Sequence, residues 1–349
     1  MSVDKRRSGS RFPGPAGGET GKSLVEKPLW EPSQARIAGA HITAFARSAI
    51  REWGLGFNTY PEFYQWSADR PEQFWQSLWQ YAGVKASGRG SRVLEHADRM
   101  PGARWFPDAR LNFAENLLRR RDQADAMVFW GEDKVQRRLS HAQVYLAVSR
   151  LAQALRAAGV GSGDRVAAYL PNLPETMIAM LAAASIGAVW SSCSPDFGVQ
   201  GVLDRFGQIE PKILIAADGY WYNGKALDGL EKVAEIARRL PSLQRVVMVS
   251  YLSERADVTG VTHAVHWNDF TKPHPGRDIE FAQLAFDHPL YIMYSSGTTG
   301  VPKCIVHGAG GTLLQHMKEH QLHTDVKPGD RLFYFTTCGW MMWLSLIHI

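Results

Sequence analysis

The stretch "DRVAAYLPNLPETMIAMLAAASIGAVWSSC" (residues 164–193) decides the fold class. "DRVAAYL" is a short apolar strand, and "LPETMIAMLAAASIGAVWSSC" reads as a helix that runs into a second strand. The same alternation continues on both sides. Upstream, "LSHAQVYLAVSRLAQALRAAGV" is an amphipathic helix that Ser140 can cap, with Gln143 at the capping-box position and Gly159 at its end. Downstream, "FGVQGVLDRFGQIEPKILIAAD" is a helix, Pro211 and the strand "KILIAAD"; "KALDGLEKVAEIARRLPSLQRVVMVSYL" repeats helix then strand. Strands separated by helices predict βαβ units and a parallel sheet covered by helices, an α/β fold.

Composition bounds the class. The chain has 349 residues, is 45% hydrophobic and 21% charged, which suits a globular protein with a sizeable core and excludes a fibrous or wholly disordered one. The formal charge is +5. Residues 1–27 hold six Lys/Arg against three acids, so +3 of it lies in a Gly/Pro/Ser-rich basic leader expected to be disordered. The remaining body is near neutral and the leader lacks interleaved aromatics, so no nucleic acid is expected as a partner. No apolar run is long enough to span a membrane, so no membrane is expected either. Three cysteines without a C-x-x-C pair fit a reducing compartment, and the cytoplasm is the expected location. Oligomeric state is left open.

Before residue 105 the chain is dense in aromatics. "RIAGAHITAFARSAIREWG" (36–54) and "RPEQFWQSLWQYAGV" (70–84) place apolar residues at helical spacing, the second between Pro71 and Gly83, and their aromatics read as core packing. "GVGSGD" (159–164) precedes a strand and reads as a turn, not a dinucleotide site. His316 and His320 fall four apart on the expected helix "GTLLQHMKEHQL", read as a solvated face because no H-E-x-x-H accompanies them. No G-x-S-x-G elbow is present.

The chemistry concentrates in "YIMYSSGTTGVPKCIVHG" (291–308), two apolar runs broken by Ser, Gly and Thr. Gly297 and Gly300 permit tight turns and close backbone approach. Main-chain N–H groups in such a loop form an anion cradle; Ser295, Ser296, Thr298 and Thr299 add hydroxyls and Lys303 a point charge. The set suits a polyphosphate, although G-x-x-x-x-G-K-[ST] is absent and an ordinary polar turn is equally compatible with the composition.

The full string "YSSGTTGVPK" resembles the phosphate-loop signature of the adenylate-forming superfamily, which includes acyl-CoA synthetases, peptide-synthetase adenylation domains and luciferases. That resemblance implies that Ser295, Ser296, Gly297, Thr298, Thr299, Gly300 and Lys303 hold the β- and γ-phosphates of ATP. Further segments, "RWFPDARLNFAENLLRR", "WSSCSPDFGVQGVLDRFGQIEPKILIAADGYWYNGK" and "TTCGWMMW", resemble the acetoacetate-activating branch. The implied reaction has two halves: acetoacetate attacks the α-phosphate of Mg²⁺-bound ATP and expels pyrophosphate, then the thiol of CoA displaces AMP. The resemblance further implies an acid pocket at Thr337, Gly339, Trp340 and Trp343, and CoA contacts at Trp190, Ser191, Ser192 and Lys225. It implies an N-terminal extension over 28–105 and a partial AMP-binding domain over 106–343. After Trp343 the resemblance stops, so residues 344–349 are expected to be a non-native tail. The C-terminal small domain with the adenylation Lys is expected to be absent, leaving no catalytic residue and no metal ligand of its own in an inactive fragment. The alternatives are a ligase for acetate or propionate, and a non-catalytic nucleotide- or CoA-binding module.

Overall fold

The computed structural model describes residues 29–295 and 300–345. The expected leader, residues 296–299 of the phosphate loop and residues 346–349 lie outside the described residues. Four helices open the described fold: a short one at Gln34–Gly39, then α1 (His41–Trp53), α2 (Tyr60–Asp69) and α3 (Pro71–Tyr81). Thr59 and Glu62 form a capping box at the start of α2, and Pro71 occupies the first turn of α3, where its missing N–H costs nothing. Their facing aromatics Phe45, Phe63, Trp66 and Phe74 meet largely edge-on at 5.6–6.5 Å between ring centres. The single helix expected over 36–54 is two: Gln34–Gly39 ends at a glycine, Ala40 is extended, and α1 starts afresh.

The centre is a seven-stranded sheet made of β1 (Arg165–Tyr169), β2 (Val189–Cys193), β3 (Ile213–Ala217), β4 (Arg245–Val249), β5 (Ala264–His266), β6 (Pro289–Ser295) and β7 (Lys303–Gly308). Its order is β5-β4-β3-β1-β2-β6-β7. All neighbours are parallel except β6 and β7. The helix α4 (His141–Ala157) leads into β1; α5 (Pro174–Ser185), α6 (Val199–Ile209) and α7 (Leu230–Arg239) supply the crossovers from β1 to β2, β2 to β3 and β3 to β4, and α8 (Ala309–Met317) follows β7. The α/β fold with a helix-covered sheet is as expected, and the Ser140–Gln143 capping box forms at the head of α4.

Both faces of the sheet are covered, so its inner strands have no polar side. Val166, Ala168, Ile213, Ile215, Val247 and Val249 enter one core with α4, α5, α8 and the N-terminal helices. Ala167, Leu214, Ala216, Val246 and Met248 enter a second core under α6 and α7. α5 is buried along almost its whole length, which explains why its sequence is apolar all round. Glu175 in its first turn is held by Arg137 at 2.7 Å and lies near the positive end of the helix.

The motif "LNFAENLL" fastens the N-terminal region to this body. Asn112 is fully buried; its amide donates to the carbonyls of Ala184, Ser185 and Ala282 at 3.0, 3.2 and 2.9 Å, while its oxygen caps the short helix Phe113–Leu117. Asn116 bonds both backbone groups of Lys85, accepting its N–H at 2.8 Å and donating to its C=O at 2.9 Å.

Two further expectations are corrected. "KALDGL" opens no helix: Lys225–Asp228 pairs antiparallel with Gly219–Tyr222 as a hairpin, and helix begins only at Leu230. Its turn residues, Asn223 and Gly224, both have positive φ, the two-residue turn whose twist matches a hairpin. His316 and His320 do not form a solvated face. His316 is buried, its imidazole pushed down to about 3 by burial and then by His320 and His307, and the chain widens into a π-helix over Lys318–His323. No group of three or more His, Cys, Asp or Glu able to hold a metal occurs among the described residues.

Candidate functional site

Parallel α/β sheets bind ligands beyond the carboxyl ends of their strands, where successive crossovers diverge. Here the chain passes from β1 to β2 on one side, then returns over β1 to β3 on the other. The carboxyl ends of β1, β2 and β6 therefore frame the candidate site. β6 ends at Ser295, which pairs across the antiparallel ladder with Lys303, the first residue of β7. β6 and β7 are thus the two strands of an antiparallel pair at the sheet edge. Gly300 has φ +141°, a conformation that side-chain-bearing residues rarely adopt. Lys303 is exposed and no carboxylate pairs with it among the described residues. α6 braces the hairpin: Gln208 donates to the carbonyl of Pro302 at 2.8 Å and lies 3.6 Å from the Cys304 sulfur. Ser296, Gly297, Thr298 and Thr299 lie outside the described residues.

The segment around residues 337–343 is clamped onto the ends of β1 and β2. Ser192 donates to the carbonyl of Cys338 at 2.6 Å, the Cys338 thiol donates to the carbonyl of Leu170 at 3.1 Å, and the Trp343 indole donates to Asn172 at 2.7 Å. A Cβ at Gly339 would stand 3.7 Å from the nitrogen of Ser194, so this glycine rides directly over the end of β2. Thr337 and Gly339 are half-buried there, and Trp340 is 66% exposed. Trp343 is buried at 1% exposure and acts as an anchor, not an open wall. Leu344 beside it is buried in the same core.

Trp190, Ser191 and Ser192 form the middle of β2. Trp190 is fully buried, with its indole 3.2 Å from the Ser192 hydroxyl. Ser191 donates to the carbonyl of Ile292 at 2.9 Å and tethers β2 to β6. Buried and bonded in this way, these three side chains present no open face to CoA, which corrects that expectation for direct contact. Lys225 is different: it is exposed at the start of the second strand of the hairpin, beyond β3. The signal for that hairpin was in the sequence, since "YWYNGK" carries Asn-Gly between alternating residues.

The loop after β2 is tied down by side-chain hydrogen bonds. The Tyr169 hydroxyl reaches the carbonyls of Pro195 and Phe197 at 2.9 and 2.7 Å, and Asp196 accepts from Ser194 and Tyr220 at 2.6 and 2.8 Å. Burial raises the hydroxyl pKa of Tyr294 and the thiol pKa values of Cys193 and Cys338, so none of these groups is a ready nucleophile at neutral pH.

Comparisons with known proteins agree with this architecture. A sequence model described as AMP-binding enzyme matches residues 113–348, and one described as acetyl-coenzyme A synthetase N-terminus matches residues 60–117. The acetoacetyl-coenzyme A synthetase of Rhizobium meliloti (strain 1021) is 52% identical over 324 residues, covering 91% of this chain and 49% of the relative. The malonamoyl-CoA synthetase of Penicillium aethiopicum is 39% identical over 354 residues, covering 97% and 47%. The solved structure of acetoacetyl-CoA synthetase from Streptomyces lividans superposes with a TM-score of 0.87 at 42% identity, covering 92% of this chain and 49% of that one. The chain spans about half the length of the curated relatives it matches.

Proposed function

This chain belongs to the AMP-binding enzyme family, and from that premise we propose that the whole protein is an acetoacetate–CoA ligase. The observation that carries the reading is the 52% identity to an acetoacetyl-coenzyme A synthetase over 91% of the chain. In the first half-reaction an acetoacetate oxygen bonds to the α-phosphorus of ATP, the α–β bridge breaks, and pyrophosphate leaves with the electron pair. In the second, the thiolate of CoA attacks the acyl carbon and AMP leaves. Charge builds on the pyrophosphate oxygens in the first step. A backbone cradle at Ser295–Gly300 and Lys303, which no carboxylate pairs with among the described residues, would hold that charge. Mg²⁺ enters as the counter-ion of ATP; the described residues offer no acidic cluster to hold it separately. Thr337, Gly339 and Trp340, at the ends of β1 and β2, would border the acid, with Trp343 fixing the segment from behind. Lys225 would stand near a phosphate of CoA.

The likeness to a malonamoyl-CoA synthetase bears on the acid. Acetoacetate and malonamate both carry a carbonyl β to the carboxylate and differ only in a terminal methyl against an amide nitrogen. A pocket shaped for a planar β-carbonyl acid accounts for both, and such a pocket would favour them over acetate and propionate. The three free cysteines, two of them buried, agree with a reducing compartment such as the cytoplasm.

Acid-dependent ATP–pyrophosphate exchange by the whole protein tests the reading. Acetoacetate is expected to lead the panel, and Lys303→Ala to slow exchange by about tenfold or more. Equal rates with acetate, or unchanged exchange in Lys303→Ala, would overturn it. We further propose that the 349 residues alone bind nucleotide without turnover, since half the length of the relatives has no counterpart in them.

A further inference from the structure

We propose that Arg205 is a phosphate-binding residue of this site, a role that rests on the phosphate-hairpin reading. Arg205 lies on α6, three residues before Gln208, which braces the hairpin at Pro302. Its guanidinium lies 4.3 Å from the centre of the Phe197 ring and 5.7 Å from that of Tyr294, the residue before Ser295. One nitrogen, Nη1, donates to the carbonyl of Gly201 at 2.7 Å. Set over one ring and tethered at one corner, the group is held in place, and neither Nε nor Nη2 has a partner among the described residues.

No carboxylate pairs with it among the described residues. Asp196 is engaged by Ser194 and Tyr220, and Asp204 by Gln200. A half-buried, pre-oriented guanidinium without a counter-charge suits the oxygens of a phosphate, which it can bond with two parallel N–H groups. It sits between the loop after β2 and the end of β6, so the phosphate can come from the triphosphate of ATP or from CoA. The shared chemistry is a phosphate oxyanion approaching from the carboxyl end of the sheet.

Calorimetric titration of the 349-residue chain separates the sources, using MgATP, pyrophosphate, CoA, dephospho-CoA and adenosine as probes. Arg205→Met keeps the apolar stem against Phe197; Arg205→Lys keeps the charge without the stacked plane; Lys303→Ala reports on the hairpin. Arg205→Met is expected to weaken at least one phosphate-bearing probe about tenfold, with adenosine affinity and melting temperature unchanged, and Arg205→Lys to fall between. Loss confined to MgATP and pyrophosphate assigns the nucleotide tail; loss confined to CoA assigns CoA, and its 3′-phosphate if dephospho-CoA is unaffected. Unchanged binding of every probe by Arg205→Met overturns the proposal. If Arg205→Met fails to fold, Arg205→Lys decides: wild-type affinity and unchanged salt dependence for every probe would overturn it. An effect of Lys303→Ala without one at Arg205 defeats this inference alone, the reverse pattern defeats the hairpin reading alone, and a wild-type chain that binds no phosphate probe defeats both.

Discussion

Replacing Asn112 separates two roles that one side chain combines. Its oxygen caps the Phe113–Leu117 helix by accepting from the Glu115 N–H at 3.2 Å, and its amide serves three carbonyls. Two of those carbonyls keep another donor when the amide is removed: Gly187 N–H for Ala184 and Ala282 N–H for Ser185. The Ala282 carbonyl keeps none among the described residues. Asn112→Ala therefore loses a cap, about 1 kcal/mol, and strands one buried carbonyl, about 1–3 kcal/mol, for a total of about 2–4 kcal/mol. Asn112→Asp is the sharper probe. Aspartate caps as well as asparagine, so a residue that only capped would tolerate it. Here the new carboxylate would face three carbonyl oxygens in a dry site, which raises its pKa above the unfolded value. Asn112→Asp should be less stable than Asn112→Ala at pH 7 and recover as pH falls through that raised pKa, where the neutral acid can donate once. Urea denaturation followed by tryptophan fluorescence at pH 7 and pH 5 measures both. Wild-type stability of Asn112→Asp at pH 7 would refute the donor argument.

Two other outcomes follow from the fold and site. His316 has a folded pKa near 3 against about 6.5 unfolded, so the unfolded chain binds the extra proton; stability is complete above the unfolded value and falls by up to about 1.4 kcal/mol per pH unit between them. His316→Gln should flatten urea midpoints from pH 6.5 to 4; equal slopes in both proteins would exclude this histidine as the source. Trp343→Ala removes a buried indole and its bond to Asn172 and should cost about 3–5 kcal/mol in denaturant titrations, whereas Trp340→Ala should cost less than about 0.5 kcal/mol and instead raise the KM for the acid in the whole protein. A large stability loss at Trp340 would place it in the core.

The fold was legible where local signals agreed. Ser140 and Gln143 announced α4, Pro71 and Gly83 bounded α3, and apolar runs such as "KILIAAD" announced buried strands. Reading failed where tertiary contacts decide. Whether His316 faces water or core depends on what packs over α8, and no helical spacing encodes that. In β2, alternation cannot say which face a helix covers; the resemblance implied CoA contacts at Trp190, Ser191 and Ser192, and all three side chains lie buried within the sheet. β6 and β7 were legible as the two apolar runs on either side of the Ser-Gly-Thr break. Arg205 was not, because one arginine in an amphipathic helix looks like any other until Phe197 and Tyr294 come alongside.

The strands of β3 and β4 have a consequence for how their frame is kept. In most half-exposed sheets a one-residue slip drives greasy side chains into water, and solvent punishes the error. Here "ILIAA" is dry on both sides, so a slipped copy would stay dry. What forbids it is bulk: Ile213 and Ile215 fill one layer, while Leu214 and Ala216 leave room for α6 and α7 in the other. Alignment in the middle of this protein is policed by volume, and enlarging Ala216 should disturb it more than making an outer position oily.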